Sequence, residues 1–185
     1  LLDGKTISIT GSKSISNRLL ILGKLFGDLK IENLSNSQDT QLLQKALNED
    51  SETVDIHHAG TAMRFLTSFY AIQEGRKTIL TGSERMKQRP IKPLVDALRE
   101  LGAEINYLEN EGFPPLEIQG RKIEKNFVKI PANISSQFIT SLILIGAILE
   151  NGLEIELKGE ITSRSYIKMT LKILKDIGIE TRFEG

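Results

Sequence analysis

Hydroxylic and basic residues cluster where the predicted helices of this chain begin. The segments are GSKS at 11–14, SQD at 37–39, AGT at 59–61, RMKQRP at 85–90, NISS at 133–136 and TSRS at 162–165. The first N–H groups of a helix have no intrahelical partner and lie at the positive end of the helix dipole. Such a terminus attracts anions, and Ser, Thr, Lys or Arg side chains complete the coordination. The pattern therefore predicts binding of phosphate or carboxylate groups.

Each segment also has a simpler interpretation as an ordinary helix cap. Ser, Thr and Asp are strongly preferred there because their side chains accept the free N–H groups. Capping does not explain cations near the first turns, where a positive charge opposes the dipole by roughly 0.3 to 1 kcal/mol. These cations are Lys13, Arg18, Arg64, Arg89 and Arg164. A bound anion would remove the conflict, and the spacing places Arg18 on one face with Ser14, and Arg64 with Thr61.

Three other features favour simpler readings. GSKS at 11–14 lacks the G-x-x-x-x-G-K-[ST] spacing of a nucleotide P-loop. The basic segment 84–90 could, from composition alone, be a solvated loop. The adjacent His57 and His58 are interpreted as residues at the end of a strand, because no carboxylate or thiolate cluster accompanies them. With no cysteine and 2 histidines, no metal site and no thiolate nucleophile are predicted.

Helices and strands are predicted to alternate along the sequence that carries these segments. Apolar periodicity predicts helices at 14–26, 40–48, 61–73, 91–101, 135–150 and 163–177. Strands are predicted at 30–34, 53–57, 77–81, 103–108, 115–119, 126–130, 153–157 and 179–183, and a hairpin loop within 110–120. Segment 135–150 is apolar on nearly every face, which predicts a buried central helix. The strands alternate apolar and polar residues, which suits sheets with one face in water.

The order helix, strand, helix, strand recurs three times, starting near 14, 61 and 135. Its irregular spacing disfavours an open solenoid and favours a closed domain with an internal repeat. The predicted fold class is α/β, of the α+β type, with helices buried and sheets outside.

Composition and charge exclude several function classes. With 39% hydrophobic and 26% charged residues, the chain matches ordinary soluble globular proteins. The 24 basic and 24 acidic residues cancel, so neither nucleic acid nor an anionic membrane is a predicted partner. No stretch approaches the roughly 20 apolar residues of a spanning helix, and the first residues do not resemble a signal peptide. We expect a cytoplasmic protein.

Four segments, in their order and spacing, resemble the EPSP synthases, the 3-phosphoshikimate 1-carboxyvinyltransferase family. They are GSKSISNR at 11–18, AGTAMRF at 59–65, ERMKQRPIKPLVDALRELGA at 84–103 and SSQFITSLILIGA at 135–147, with a fifth at 163–166. The sibling family that acts on UDP-N-acetylglucosamine typically has Lys-Asn in the first motif and a reactive cysteine. Here Ser14 follows Lys13, and the chain has no cysteine.

The resemblance also implies a domain organisation. Family members are about twice this length, as two similar domains of common size, which makes this chain an N-terminal half without the C-terminal domain. Residues 1–10 would form a strand that belongs to the other domain, and 11–185 would form the N-terminal domain. That domain is expected to be an inside-out α/β barrel-like structure of three βαβαββ-type repeats.

Carried onto this sequence, the family motifs imply two sets of binding residues, with Lys13 as the catalytic residue. The shikimate 3-phosphate set is Lys13, Ser14, Arg18, Ser135, Ser136, Gln137, Ser163 and Tyr166. The phosphoenolpyruvate set is Lys13, Gly60, Thr61, Arg64, Arg89 and Gln137. In the family, the herbicide glyphosate occupies the phosphoenolpyruvate site competitively. His58 stands where the family usually has Asn in N-A-G-T, so a ring nitrogen would replace the amide donor.

The implied activity is transfer of the enolpyruvyl group of phosphoenolpyruvate to the 5-hydroxyl of shikimate 3-phosphate. This is a step of chorismate and aromatic amino-acid biosynthesis, and no cofactor or metal is implied. Two other classes stay open: a phosphate-ligand binding module without catalysis, and a protein like the RNA 3'-phosphate cyclases. Zero net charge and 5% aromatic residues disfavour the latter. We expect the isolated chain to fold, to bind shikimate 3-phosphate weakly and not to turn over.

Overall fold

The computed structural model describes residues 8–27 and 29–184, where helices and strands alternate. The helices are α1 (Lys13–Phe26), α2 (Gln38–Asn48), α3 (Gly60–Ala71), α4 (Glu84–Lys87), α5 (Lys92–Leu101), α6 (Ser136–Gly146) and α7 (Arg164–Asp176). The strands are β1 (Thr53–Asp55), β2 (Lys77–Thr81), β3 (Glu104–Tyr107), β4 (Leu116–Gln119), β5 (Phe127–Pro131) and β6 (Glu154–Lys158). The predicted mixed α/β class is confirmed.

Two sheets organise the described strands. The larger has the order β1-β2-β4-β3, with β1 parallel to β2 and the other pairs antiparallel. The smaller pairs β5 and β6 in parallel. The run β1-α3-β2-α5-β3-β4, with α4 inserted, is one complete βαβαββ unit, and β5-α6-β6-α7 forms the first four elements of another. The threefold repeat and barrel closure stay predictions.

The helices pack against one face of each sheet, and the opposite face is more exposed. In β5, for example, Val128 and Ile130 are buried and the residues between and beside them are exposed. Helix α3 is more completely enclosed than α6, because all 12 of its residues are buried. Its polar side chains have partners: Thr67 donates to the carbonyl of Met63 at 2.7 Å, and Ser68 Oγ donates to Ser141 Oγ at 2.9 Å. Helix α6, within the segment predicted to be a buried central helix, is therefore less enclosed than α3.

Two predicted strands are absent from the described residues. At 30–34, Asn33 has a φ of 54°, and its carbonyl accepts the N–H of Gly11 at 3.0 Å. This segment therefore packs on the approach to α1 instead of joining a sheet. At 179–183, the N–H of Ile179 turns back to the carbonyl of Leu174 at 2.9 Å, at the end of α7. Both predictions were wrong: one backbone group in each segment bonds to a neighbouring loop or helix end, and neither segment joins a sheet of the described strands.

Four other segments bear on the predictions. The basic segment 84–90 begins as the short helix α4, whose Met86 N–H donates to Ser83 Oγ at 3.4 Å. Helix α6 ends at Gly146, before the predicted 150. The hairpin loop is confirmed, since β3 and β4 pair in antiparallel. Of the predicted strand at 1–10, residues 1–7 lie outside the described residues, and 8–10 belong to no helix or strand.

Candidate functional site

Arg18 joins the start of α1 to α6 and α7. Its side chain is buried, at 3% exposure. Its Nε donates to Thr170 Oγ1 at 2.7 Å, and Nη2 donates to Thr140 Oγ1 at 3.2 Å. Nη1 donates to the carbonyl oxygen of Ser14 at 2.6 Å, and Cζ lies 5.9 Å from the centre of the Tyr166 ring. A guanidinium has more N–H donors than these three contacts use, so Arg18 keeps donors for a carboxylate.

A second arginine cluster lies at the start of α3. Arg64 is 5% exposed, and its Nη1 donates to the carbonyl of Gly60 at 3.1 Å. Its Nη2 donates to the carbonyl of Pro90 at 3.2 Å. The guanidinium of Arg89 lies against Gly60 so closely that a Cβ added there would be 2.9 Å from Arg89 Cζ. Residues from two separate motifs therefore meet at one helix start.

No carboxylate of the described residues forms an ion pair with either buried arginine. Burial lowers the pKa of Arg18 to about 10. For Arg64, burial and the charge of Arg89 lower the pKa to about 10, against the opposing effect of Asp39. Both side chains are therefore cationic at neutral pH. None of the ion pairs formed within 8–27 and 29–184 includes either arginine. Desolvated cations without a counter-ion attract an anion strongly.

The start of α6 lies beside the start of α3. Ser135 caps α6, because its Oγ accepts the N–H of Gln137 at 3.4 Å. Gln137 Nε2 in turn donates to Thr61 Oγ1 at 3.3 Å. Ser136 is buried at 9% exposure. The serine motif and the AGT motif, which are far apart in sequence, are therefore in direct contact.

Ten of the twelve predicted site residues, all but Lys13 and Ser136, fall into three contacting groups. One is Ser14, Arg18, Ser163 and Tyr166, where the Ser163 carbonyl accepts the Tyr166 N–H at 3.2 Å. The second is Gly60, Arg64 and Arg89, and the third is Thr61, Ser135 and Gln137. Lys13 is exposed in the first turn of α1. The ligand-binding roles of these residues stay predictions.

Two residues to which the sequence pattern assigned no such role, Asn17 and Asp39, connect these groups. Asn17, which is fully buried, donates from Nδ2 to Asp39 Oδ1 at 2.7 Å, and its Oδ1 accepts from Thr40 Oγ1 at 2.7 Å. Asp39 Oδ2 accepts the N–H of Thr61 at 3.4 Å. The carboxylate thus lies at the start of α3, although SQD at 37–39 was interpreted only as the start of its own helix. The available signal was a polar Asn17 on the apolar face of α1.

Replacing Asp39 with asparagine is expected to lower the free energy of unfolding by about 1 to 2 kcal/mol. The change removes a negative charge from the N-terminus of α3, and one amide oxygen must serve two donors, Asn17 Nδ2 and Thr61 N–H. Urea unfolding measures the loss. Asp50→Asn is the matched control, because the Asp50 side chain is fully exposed. Equal midpoints for the two variants would contradict the bridging role of Asp39.

Comparison with known proteins decides the family. The family model described as EPSP synthase (3-phosphoshikimate 1-carboxyvinyltransferase) matches residues 43–185. The chain belongs to the EPSP synthase family. The 3-phosphoshikimate 1-carboxyvinyltransferase of Bacteroides fragilis (strain YCH46) is 54% identical over 174 residues, which is 94% of this chain and 42% of the relative. The protein of that name from Haemophilus influenzae (strain ATCC 51907 / DSM 11121 / KW20 / Rd) is 41% identical over 204 residues, which cover 95% of this chain and 47% of the relative.

A solved EPSP synthase from Acinetobacter baumannii has the same fold. It superposes with a TM-score of 0.74 at 18% identity, over 97% of this chain and 45% of that structure. The chain thus spans about half the length of the EPSP synthases that it matches.

Two kinds of feature are absent from the described residues. None of the helices in 8–27 and 29–184 is long and apolar enough to cross a membrane. In the same ranges, no three or more His, Cys, Asp or Glu side chains are grouped where they could hold a metal ion.

Proposed function

We propose that this chain provides one wall of an EPSP synthase active site, which binds shikimate 3-phosphate and part of phosphoenolpyruvate. The observation that supports it most is the pair of buried cations, Arg18 and Arg64, which have no carboxylate partner among the described residues and lie at connected helix starts. Shikimate 3-phosphate and phosphoenolpyruvate each carry a phosphate and a carboxylate. A preorganised set of cations and helix N-termini stabilises such charges as the reaction develops them.

Each group of contacting residues has a proposed role. Ser14, Arg18, Ser163 and Tyr166, with Ser135 and Ser136, hold shikimate 3-phosphate, and Gly60, Thr61, Arg64 and Arg89 hold phosphoenolpyruvate. Gln137 lies between the two sets, because it contacts Thr61 from the serine motif. Lys13 is the proposed catalytic residue, in reach of both ligands from the first turn of α1. We also propose a cytoplasmic location and no cofactor.

The proposed reaction proceeds by addition and elimination. The 5-hydroxyl oxygen bonds to C2 of phosphoenolpyruvate, its proton leaves, and C3 gains a proton, which gives a tetrahedral intermediate. The intermediate then loses a proton from C3 and phosphate from C2, leaving the enolpyruvyl ether. In this scheme the residues of this chain bind and orient the anions. The proton-transferring carboxylates belong to the part of the EPSP synthase length that this chain does not span.

The number of available contacts limits the affinity of the isolated chain for its ligands. Micromolar affinity requires about 8 kcal/mol, and a hydrogen bond to a charged group contributes on the order of 1.5 to 3 kcal/mol. The proposed groups provide more contacts to shikimate 3-phosphate than to phosphoenolpyruvate. We therefore propose that the isolated chain binds shikimate 3-phosphate weakly and does not turn over.

Titration of the isotope-labelled chain with shikimate 3-phosphate, followed by amide NMR, tests the binding. Saturable shifts are expected at the starts of α1, α6 and α7, with shikimate binding at least about tenfold more weakly because it lacks the phosphate. Ser163→Ala should weaken binding, whereas Ser165→Ala, two residues further on, should not. No saturable shift, or equal binding of shikimate, would reject the proposal.

A hybrid protein separates a catalytic half from a simple binding module. The chain would be joined to the C-terminal half of the Bacteroides fragilis relative. With both substrates present, steady-state release of phosphate from phosphoenolpyruvate is expected in the hybrid and not in the chain alone. A hybrid that binds shikimate 3-phosphate but releases no phosphate would favour the binding module.

A further inference from the structure

Residues 86–90, which run from α4 into its connection to α5, contact Arg64 and include Arg89, the two arginines of the proposed phosphoenolpyruvate site. These residues are called the arginine segment. The Pro90 carbonyl accepts from Arg64 Nη2 at 3.2 Å, and Met86 Sδ lies 3.8 Å from Arg64 Nη1. Arg89 donates its N–H to the Met86 carbonyl at 3.0 Å and places its guanidinium against Gly60. Any shift of this segment therefore moves the guanidinium of Arg89 and removes an acceptor from Arg64.

The loop that joins β3 to β4, residues 108–115, holds this segment from the other side. The N–H of Ile91 donates to the Gly112 carbonyl at 2.9 Å. Two ion pairs flank that bond, and their distances are 2.9 Å for Lys87–Glu109 and 3.1 Å for Lys92–Glu111. The three contacts lie on either side of residues 88–90, so the loop fastens the arginine segment at both ends.

The loop has a defined conformation of its own. Leu108 donates its N–H to the Pro115 carbonyl at 3.0 Å, and Phe113 donates to the Asn110 carbonyl at 3.1 Å. Gly112 has a φ of 90°, which L-residues with side chains rarely adopt. A Cβ at Gly112 would lie 3.4 Å from Lys92 Cβ, which is an ordinary van der Waals contact, so the backbone angle and not the available space favours glycine there. The loop can therefore act as a fixed support.

Lys87 and Lys92, which pair with the loop, each also have a carboxylate partner within residues 84–101. Glu84 lies 3.3 Å from Lys87, and Asp96 lies 3.1 Å from Lys92. The lysines would stay neutralised without the loop. What Glu109 and Glu111 add is therefore a connection between two segments, because both belong to the loop while their lysines belong to 84–101.

We propose that Glu109, Glu111 and Gly112 are positioning residues for Arg89 and Arg64, and that loop 108–115 thereby sets the affinity for phosphoenolpyruvate. This inference rests on the proposed function. Exposed ion pairs contribute little to the free energy of unfolding. A small displacement of a binding group, in contrast, weakens a ligand interaction that depends on the position of that group. The effect should therefore fall on phosphoenolpyruvate binding more than on stability.

The test compares the double variant Glu109→Gln, Glu111→Gln with Glu156→Gln. Glu156 is a matched control, because its 3.0 Å ion pair with Lys129 joins β5 to β6, away from the loop. In the double variant, hydrogen exchange of the Ile91 amide should rise about two- to fivefold and the Arg89 Nε–Hε resonance should shift. The control should change neither. Aspartate at both positions, which keeps the charges, should restore most of the protection.

Ligand titrations separate positioning from general stability. The double variant should bind phosphoenolpyruvate about two- to fivefold more weakly, with unchanged shikimate 3-phosphate affinity and melting temperature. Equal Ile91 exchange and an unchanged Arg89 resonance in the double variant and the control would overturn the inference. These titrations use the hybrid protein, which has the complete phosphoenolpyruvate site. Absence of phosphoenolpyruvate binding in the unmodified hybrid would count against the proposed function instead, and the exchange data would still decide whether loop 108–115 positions the arginines.

Discussion

Arg18→Met is expected to weaken shikimate 3-phosphate binding by at least about tenfold, with a change in unfolding free energy within about 1 kcal/mol. The binding loss follows from removing a charged donor, since Arg18 is proposed to hold the carboxylate of the ligand. The small stability change follows from two opposing effects. The substitution removes the hydrogen bonds of Arg18 to Ser14, Thr140 and Thr170. It also removes the cost of burying the guanidinium charge, a cost that is reflected in the pKa of Arg18, which burial lowers to about 10.

Two features of the surroundings limit the cost of the change. Thr170 Oγ1 still donates to the Tyr166 carbonyl at 2.8 Å, and Thr140 Oγ1 lies 3.4 Å from Thr170 Oγ1. Methionine also fills irregular buried space. Arg18→Ala is the informative comparison, because it leaves a cavity and should cost about 2 to 4 kcal/mol. Urea unfolding and NMR titration measure both quantities. Normal binding by a stable Arg18→Met variant would show that Arg18 is only structural.

The sequence predicted most elements because their signals are local. Alternating apolar residues placed β2 at 77–81, as observed, and the Gly- and Pro-rich stretch identified the hairpin between β3 and β4. Segment 30–34 has the same local pattern, but its backbone is drawn to α1 by the Gly11–Asn33 contact. The burial of α3 agrees with the predicted buried helices, but the contact of Ser68 with Ser141, on a helix distant in sequence, could not be predicted.

The site could be predicted as a set of positions but not as an arrangement. Basic and hydroxylic helix starts are visible in one sequence, and the contacts of Gln137 with Thr61 and of Arg89 with Gly60 agree with their grouping. Backbone partners have no sequence signature. The Pro90 carbonyl that orients Arg64 becomes visible only when the segments are packed together.

Gly60→Ala is expected to weaken phosphoenolpyruvate binding by about tenfold to a hundredfold while stability stays equal or rises. The added Cβ would lie 2.9 Å from Arg89 Cζ and 3.0 Å from Nη2, so the guanidinium must move. Because it ends a flexible side chain, it can move at little cost to the fold. Alanine also favours a helix over glycine by up to about 1 kcal/mol. Affinity therefore falls while stability does not, which a general loss of structure would not produce.

A double-mutant cycle with Arg89→Ala tests the cause. If Gly60→Ala acts by displacing Arg89, the double variant should bind phosphoenolpyruvate no more weakly than Arg89→Ala alone. Gly23→Ala, in α1, is the control for helix propensity and should leave the affinity unchanged. Additive losses from Gly60→Ala and Arg89→Ala would instead mean that Gly60 contacts the ligand independently. Shikimate 3-phosphate affinity should stay within about twofold in the Gly60→Ala variant, because its proposed residues on α1 and α7 do not contact Gly60.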